Sequence, residues 1–251
     1  MFLNLETGEP RFIIPSNRRR RVNRGKLREC LAQGIDIQWT KSVSAFQPTQ
    51  DGILVSFTDG TQVEGSVLAA ADGSGSKVRQ LLVGGELGRL NQLPVGKLGV
   101  TLRLSEDRVN QLRAIDHMLF QGCHPDTGCY MFYSTFSTPE RNGSAETECP
   151  YYESQFDISW IVRGPEDEVP STNAERLAKI KQFATAGTGF HQILRDIALS
   201  IPQDTQVFKI ALADWPPIPW QGFDGRVTLL GDAAHPMAMC KSPRTTNRTT
   251  K

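Results

Sequence analysis

The sequence lacks the charge imbalance that marks a protein binding nucleic acid or a membrane surface. Its 251 residues include 28 Lys and Arg against 27 Asp and Glu, which gives a formal net charge of +1. Binding to nucleic acid or to an anionic bilayer needs a clustered excess of Lys and Arg. We therefore expect no nucleic acid and no membrane among the partners of this protein.

Long apolar runs and paired cysteines are also lacking. Uncharged apolar stretches such as residues 67–71 are far shorter than the roughly 20 residues of a transmembrane helix. Residues 1–10 contain Glu6 and Glu9 and no long apolar segment, so we expect no secretory signal there and a cytoplasmic protein. The five cysteines form no C-x-x-C pair, which argues against a disulfide framework and a zinc ribbon.

What the sequence does contain is a succession of helix and strand signals. Asn23 is a candidate cap for a short helix that stops at Gly34, and a capping box of Thr172 and Glu175 predicts a second helix. Apolar residues that alternate or cluster predict strands over residues 35–39, 43–47, 53–57, 67–71, 98–104, 129–136, 156–162, 207–212 and 226–230. Asp59-Gly60 predicts a hairpin turn after the strand over residues 53–57, and the continuous apolar run over residues 67–71 is typical of a strand buried on both faces of a parallel sheet. The strands after residue 94 suggest a second sheet.

Two segments place a turn of Gly and Asp directly after an apolar strand. In VLAAADGSGSKVR the turn holds Asp72 and Gly73, and in VTLLGDAAHP it holds Gly231 and Asp232. Glycine lets a ligand approach the backbone, aspartate accepts hydrogen bonds from hydroxyls, and a helix starting after the turn would offer free N–H groups. Since ligands of open α/β sheets bind at the carboxyl ends of strands, the pair predicts a site for a sugar-phosphate ligand. Taken singly, each motif is also compatible with an ordinary turn.

Together and in this order, the motifs resemble those of one enzyme family. ADGSGSKVR is similar to the Asp-Gly motif, and GDAAHPM to the Gly-Asp motif, of the FAD-dependent aromatic hydroxylases. These are the flavoprotein monooxygenases related to para-hydroxybenzoate hydroxylase and salicylate hydroxylase. Upstream, Arg24-Gly-Lys-Leu27 is similar to the R-x-x-L segment of that family. The resemblance extends over residues 11–240.

This resemblance implies a cofactor, an electron donor and two substrates. They are FAD, NAD(P)H, a small aromatic compound and molecular oxygen. Because the flavin carries out the hydroxylation chemistry, no catalytic side chain is predicted. Ser76 and Arg79 are expected to hold the first turn and its helix in place.

The resemblance also implies roles for five residues. Asp232 would bind the ribityl chain of FAD, and Gly231 would permit its close approach. Arg24 would contact the ribityl or phosphate region. Asp72 and Gly73 would lie near the pyrophosphates of FAD and of the nicotinamide donor.

The fold implied by the resemblance is α/β, with a Rossmann-like FAD-binding domain interrupted by an antiparallel substrate-binding sheet. We assign residues 1–94 and 204–240 to the FAD-binding domain and residues 95–203 to the substrate-binding sheet and helix. Residues 241–251 contain several basic residues and almost nothing apolar, so we expect a disordered tail.

The sequence departs from the family pattern at the expected pyrophosphate site. It contains no G-x-G-x-x-G turn, and the glycines of residues 84–88 have a different spacing. We therefore expect an incomplete FAD-binding domain that lacks its first βαβ unit, a chain truncated at both ends relative to the family, and weak retention of FAD. Two alternatives stay open: a non-catalytic interaction protein of the same fold that holds no FAD, and another flavin reaction such as halogenation or epoxidation.

Three further signals were weighed. Four residues of suitable type follow no zinc spacing, so no metal site is predicted: His117, Cys123, His124 and Cys129. His235 lies inside the Gly-Asp motif, where we expect a structural role rather than acid–base work. Aromatic residues alternate over residues 130–136, and they are predicted either to line a substrate cavity or to pack in the core.

Overall fold

The computed structural model describes residues 1–13, 15 and 20–237. The predicted tail, residues 241–251, lies outside this part of the chain. The described strands are β1 (Phe2–Asn4), β2 (Pro10–Phe12), β3 (Val43–Pro48), β4 (Ile53–Phe57), β5 (Gln62–Gly65), β6 (Leu68–Ala70), β7 (Asn91–Gln92), β8 (Val95–Leu104), β9 (Leu119–Cys123), β10 (Tyr130–Ser137), β11 (Tyr152–Ile161), β12 (Val207–Lys209), β13 (Ala213–Asp214) and β14 (Val227–Leu229). The α-helices are α1 (Arg24–Ala32), α2 (Lys77–Val83), α3 (Glu106–Arg113), α4 (Pro139–Asn142), α5 (Asn173–Thr185) and α6 (Gln192–Leu199).

The chain divides into two compact units. The large-sheet unit comprises residues 1–33 and 94–211, and the parallel-pair unit comprises residues 34–93 and 212–251. The sequence had suggested that residues 1–94 belong together with the cofactor-binding part. Residues 1–33 instead pack with the large sheet, because β1 pairs with β9 and β2 pairs with β1. Residues 204–211 also pack with the large sheet, because β12 pairs with β8.

The large-sheet unit is built on seven strands in the order β12-β8-β11-β10-β9-β1-β2. Neighbours are antiparallel except β1 and β9, which are parallel, so the sheet is mixed rather than purely antiparallel. The three long strands predicted after residue 94 are confirmed as β8, β10 and β11. Because side chains alternate across a strand, Leu98 and Val100 of β8 lie on the same buried face as Phe156 and Ile158 of β11.

Helices α5 and α6 belong to the same core as that face of the large sheet. The predicted capping box is confirmed: Thr172 Oγ1 accepts from the Glu175 N–H at 3.3 Å, and Glu175 Oε2 accepts from the Thr172 N–H at 3.2 Å. Gly187 and Gly189 separate the helices with positive φ angles of 61° and 74°. The core side chains that the two helices supply are Leu177, Ile180, Ala184, Leu194, Ile197 and Ala198.

The parallel-pair unit consists of three small sheets. Strands β3, β4 and β5 form an antiparallel meander, in which the predicted turn at Asp59 and Gly60 joins β4 to β5. Strands β6 and β14 form a parallel pair, and β7 pairs with β13. The core of this unit is small and contains Ile53, Val55, Ala70, Val78, Val227, Leu229 and Ala233.

Three strand predictions differ from the structure. Residues 35–39 are not a strand, and Ile35 and Trp39 are exposed, because none of the sheets among the described residues includes this segment. Residues 67–71 were expected to be buried on both faces, but only Leu68–Ala70 is a strand and Val67 is 58% exposed. Among the described residues, β6 pairs only with β14. The strand predicted over residues 207–212 is divided between β12 and β13, which belong to different sheets.

Two features are absent from the described residues. No helix there has both the length and the apolar character that a membrane span requires. Nor do three or more His, Cys, Asp or Glu side chains cluster there in a way that could hold a metal ion.

Candidate functional site

The two Gly/Asp turns follow the carboxyl ends of two neighbouring parallel strands, β6 and β14. In the register of β6 and β14, Ala70 is opposite Leu229, and the Leu230 N–H donates to the Ala70 carbonyl at 2.8 Å. Asp72 and Asp232 each follow within three residues of these positions. Both aspartates therefore follow the carboxyl ends of adjacent parallel strands, and such strand ends are where α/β sheets bind ligands.

A glycine in each turn has a left-handed backbone. The φ angles are +79° at Gly73 and +56° at Gly231, a region that disfavours residues with a Cβ. Apart from each glycine and its two chain neighbours, no heavy atom of the described residues lies within 4 Å of the position where a Cβ would be built at either glycine. Backbone conformation thus accounts for both glycines, and the open space beside them allows a ligand to approach the main chain.

The carboxylate of Asp72 caps the helix that follows it. Its Oδ2 accepts from the backbone N–H of Lys77 at 2.8 Å and of Val78 at 3.3 Å. Ser76 Oγ accepts from the backbone N–H of Arg79 at 2.9 Å. The first-turn N–H groups of α2 are thus occupied by their own loop, so the expectation that this helix offers free donors to a phosphate is wrong.

Arg79 connects the Asp-Gly turn to the Gly-Asp turn through hydrogen bonds. The residue is fully buried, and its guanidinium donates to backbone carbonyls of both loops. Nη2 donates to Ser74, Nε donates to Gly88 at 3.0 Å, and Nη1 donates to Ala233 at 2.9 Å and to Asp232 at 3.4 Å. Sequence reasoning gave Arg79 a role within its own turn and helix, but it missed the bonds to residues more than 150 positions away.

Trp215 covers the Arg79 guanidinium. The Arg79 Cζ lies 5.0 Å from the ring centre, and the indole Nε1 donates to the Leu87 carbonyl at 2.7 Å. Burial lowers the pKa of Arg79, while the charge of Asp72 opposes this effect. A cation–π contact and carbonyl acceptors thus stabilise a charge that lies away from solvent.

The Gly-Asp turn presents its aspartate to solvent. Residues Gly231–Ala233 form a single 3₁₀ turn, held in part by the His235 N–H, which donates to the Gly231 carbonyl at 3.0 Å. Asp232 and His235 are both exposed. The carboxylate of Asp232 is therefore accessible to a ligand hydroxyl, and His235 contributes to the turn through its backbone.

Arg24 lies at the start of α1 in the large-sheet unit. The helix has its predicted cap, because Asn23 Oδ1 accepts from the Lys26 N–H at 3.0 Å. None of the α1 side chains is buried, and Leu31 is 66% exposed. Arg24 and Leu31 line an open cavity on this helix, and the contact of Arg24 with a cofactor stays a prediction.

The face of the large sheet opposite the helices carries a second candidate site, which sequence reasoning missed. A cavity of about 350 Å³ is lined by Gly99, Val100, Thr101, Phe136, Gln155, Asp157, Phe208 and Ile210. Of the aromatic residues of β10, Phe136 lines this cavity, whereas Tyr133 is buried in the core and stacks on Phe120 at 5.0 Å.

Two lining residues of this cavity, Asp157 and Gln155, belong to a chain of interacting polar side chains. Asp157 Oδ2 lies 3.2 Å from Lys97 Nζ and accepts from Gln155 Nε2 at 2.8 Å. Gln155 Oε1 in turn accepts from Arg21 Nη2 at 2.7 Å. Burial lowers the pKa of Arg21, and the charge of Asp157 opposes this effect. The alternation of polar and apolar residues in β8 and β11 is the sequence signal for this face.

The residues of the Gly-Asp turn fit the hydroxyl-bearing part of a flavin nucleotide. An exposed carboxylate beside an open glycine backbone suits a ribityl chain, because the carboxylate accepts hydrogen bonds from hydroxyls. The start of α2 does not fit the pyrophosphate in the same way, since its donors are already bonded to Asp72 and Ser76.

Comparison with known proteins gives close relatives, although no family model matches the chain. The sequence is 44% identical over 239 residues to the FAD-dependent monooxygenase dbaB of Emericella nidulans, which covers 94% of this chain and 60% of the relative. It is 34% identical over 252 residues to a probable FAD-dependent monooxygenase of Arthroderma benhamiae, covering 95% and 57%. The chain thus spans less than two thirds of the length of these relatives.

Two solved structures share the fold. A putative FAD-containing monooxygenase from Photorhabdus luminescens superposes with a TM-score of 0.65 at 22% identity, over 87% of this chain and 58% of that chain. A salicylate hydroxylase substrate complex gives 0.57 at 20% identity, over 85% and 50%. At these identities the likeness establishes the α/β architecture with its mixed and antiparallel sheets.

Proposed function

Because the chain belongs to the FAD-dependent monooxygenase family, we propose that it serves an FAD- and NAD(P)H-dependent hydroxylation of a small aromatic compound by molecular oxygen. The observation that carries the proposal is the pair of Gly/Asp turns on adjacent parallel strands, joined by Arg79. The aromatic substrate is the part of the proposal that follows from the resemblance of the ADGSGSKVR and GDAAHPM motifs to those of the aromatic hydroxylases.

Each proposed site residue has a distinct part in this function. Asp232 accepts hydrogen bonds from ribityl hydroxyls, and Gly231 lets the cofactor approach the main chain. Arg24 contacts the ribityl or phosphate region. Asp72 and Gly73 lie near the pyrophosphates, where the Asp72 carboxylate keeps the turn ordered by capping α2. FAD, when bound, supplies the redox chemistry with NAD(P)H and oxygen.

The competing proposal is a protein of the same fold that holds no flavin. Two observations favour it: the sequence contains no G-x-G-x-x-G turn, and the first-turn N–H groups of α2 are bonded within their own loop. Under this proposal Asp232 is a turn residue only. The two proposals therefore differ in what the Asp232 carboxylate contributes to flavin binding.

The test is a titration of the 251-residue chain with FAD, followed by flavin fluorescence, in the unaltered protein and in Asp232→Ala. A hydrogen bond to a carboxylate contributes about 1.5–3 kcal/mol, so we expect flavin affinity to fall roughly ten- to a hundredfold. Asp51→Ala, at another exposed aspartate of the same unit, is the matched control and should leave the affinity unchanged. Equal affinities for all three proteins would remove Asp232 from the site, and no saturable binding at all would favour the flavin-free alternative.

A further inference from the structure

The outer edge of β8 is only partly covered by its neighbour. β8 pairs with β11 along its whole length, whereas β12, on the other side, pairs with residues 98–100 only. Among the described residues, no strand continues this pairing beyond Val100, so residues 101–104 form a free edge of the large sheet. A free strand edge offers backbone N–H and C=O groups to another extended segment.

The backbone groups of Thr101 and Arg103 point toward this free edge. Successive residues of a strand direct their N–H and C=O groups to opposite neighbours. The Lys97 carbonyl points to the β12 side, because it accepts from the Ile210 N–H at 3.0 Å. Thr101 and Arg103 are an even number of residues from Lys97 and share its direction. Within the described part of the chain, no backbone hydrogen bond reaches these two residues on this side.

A cavity of about 530 Å³ lies beside the free edge. Residues 101–104 line one side of it, and the end of α6 with the segment that follows lines the other, through Ile197 and residues 200–202 and 204–206. Ile197 and Ile201 are buried and supply apolar surface. Four strand residues span about 10 Å, so the cavity admits an extended segment of about three or four residues.

The unpaired charge that lines this cavity is negative. Asp204 is a lining residue, and no Lys or Arg among the described residues lies within 4 Å of its carboxylate. Arg103 also lines the cavity, but its guanidinium lies over the Tyr151 ring, with Cζ 4.7 Å from the ring centre. The last carbonyls of α6 add a partial negative charge. These groups favour a ligand with N–H donors and positive charge.

We propose that the free edge of β8 is a docking site for a short, extended and basic segment of a partner protein, which adds a strand to the large sheet at residues 101–104. The backbone of the partner bonds to Thr101 and Arg103, and one apolar side chain of the partner packs on Ile197 and Ile201. Strand addition uses the edge, the apolar surface and the charge together, whereas a small cation would leave the edge unpaired. The site uses none of the residues assigned to the cofactor, so its failure would leave the proposed function unchanged.

The test is an NMR titration of the 251-residue chain with the peptide acetyl-Lys-Val-Lys-Thr-amide. We expect saturable binding in which the amide signals of Thr101 and Arg103 shift more than those of Leu102 and Leu104, whose N–H groups face β11. The same peptide, methylated on both lysine backbone nitrogens, keeps its charge but loses two donors, so it should bind about tenfold more weakly. The acidic peptide acetyl-Glu-Val-Glu-Thr-amide should also bind more weakly.

Two pairs of variants test the location of the site. Thr101→Pro removes an edge N–H without removing a hydrogen bond of the sheet, so we expect it to weaken peptide binding about tenfold. Thr101→Ala keeps the N–H and should retain most of the affinity. Asp204→Asn should weaken binding about threefold at low salt, whereas Asp107→Asn, at another exposed aspartate of this unit, should have no effect.

Four results would each overturn the inference: equal affinity for the methylated peptide, preference for the acidic peptide, absence of shifts at Thr101 and Arg103, or equal affinities of Thr101→Pro and Thr101→Ala. If Thr101→Pro does not fold, as judged by circular dichroism, the methylated peptide decides the result, because it is added to the unaltered chain. A dimer of the unaltered chain that Thr101→Pro converts to a monomer would also overturn it, by showing that a second copy of the chain occupies the edge.

Discussion

The two units of this protein are stabilised by different kinds of interaction. Among the described residues, the large-sheet unit has a core of 24 buried residues between a seven-stranded sheet and its helices, whereas the core of the parallel-pair unit contains seven. In the second unit a buried arginine bonds four backbone carbonyls of the loops around the strand ends. Apolar burial thus supports the first unit, while the second depends on a polar cross-link placed at the candidate cofactor site.

The largest effect that this comparison predicts is in the core of the large sheet. Phe156→Ala removes a side chain that is 1% exposed, and we expect it to lower the free energy of unfolding of this unit by about 3–5 kcal/mol. Urea unfolding followed by hydrogen exchange, resolved by peptide, measures each unit separately. The exposed Phe12→Ala should change stability by less than about 0.5 kcal/mol. A similar loss for both variants would contradict the account of this core.

The next largest effect should come from Arg79. Arg79→Met keeps much of the apolar volume but leaves several loop carbonyls without their donor, so we expect a loss of about 2–3 kcal/mol in the parallel-pair unit. Arg89→Met is the control, because Arg89 is exposed and pairs only with exposed Glu86. Faster exchange in residues 72–76 and 231–235 should accompany the Arg79 change. Exchange that is unchanged in these loops would show that they do not depend on the cross-link.

The smallest effect concerns the capping box of α5. Thr172→Ala should lower stability by about 1 kcal/mol at neutral pH, and Ser171→Ala next to it should have almost no effect. Hydrogen bonds with Thr172 lower the pKa of Glu175. Its contribution is therefore complete above the unfolded pKa of a glutamate and is lost as pH falls through the lower folded pKa. The stability difference between the unaltered chain and Glu175→Gln should narrow over that range, and a difference constant with pH would refute this account.

Local signals in the sequence predicted much of the fold. The capping box, the Asn23 cap and the strands β4, β8, β10 and β11 depend on residues that are neighbours along the chain, and all are confirmed. The segment 35–39 has the composition of a strand but belongs to none of the sheets in the described part of the chain, and an isolated strand is not stable. The prediction that residues 67–71 are buried on both faces was wrong for the same reason. Burial of a strand depends on the strands that pair with it, and among the described residues β6 pairs only with β14.

In the candidate sites, only those residues that lie close together in the sequence could be predicted. The turns of Asp72 and Asp232 could be found because a strand, a glycine and an aspartate follow one another. The hydrogen bond from Arg79 to Ala233 and the pairing of Gly99 with Asp157 across two strands depend on which distant segments become neighbours. Strand register is set by the whole sheet, so these features required the structure.

The pairing of β6 with β14 has a consequence for how the protein is made. It joins residue 68 to residue 227, with residues 94–211 of the other unit between them in the chain. During synthesis the hairpins of the large sheet can close as soon as they leave the ribosome, whereas β6 must wait for a partner translated much later. We expect the nascent chain to carry a folded large sheet while the first half of the parallel-pair unit is still open to chaperones and proteases.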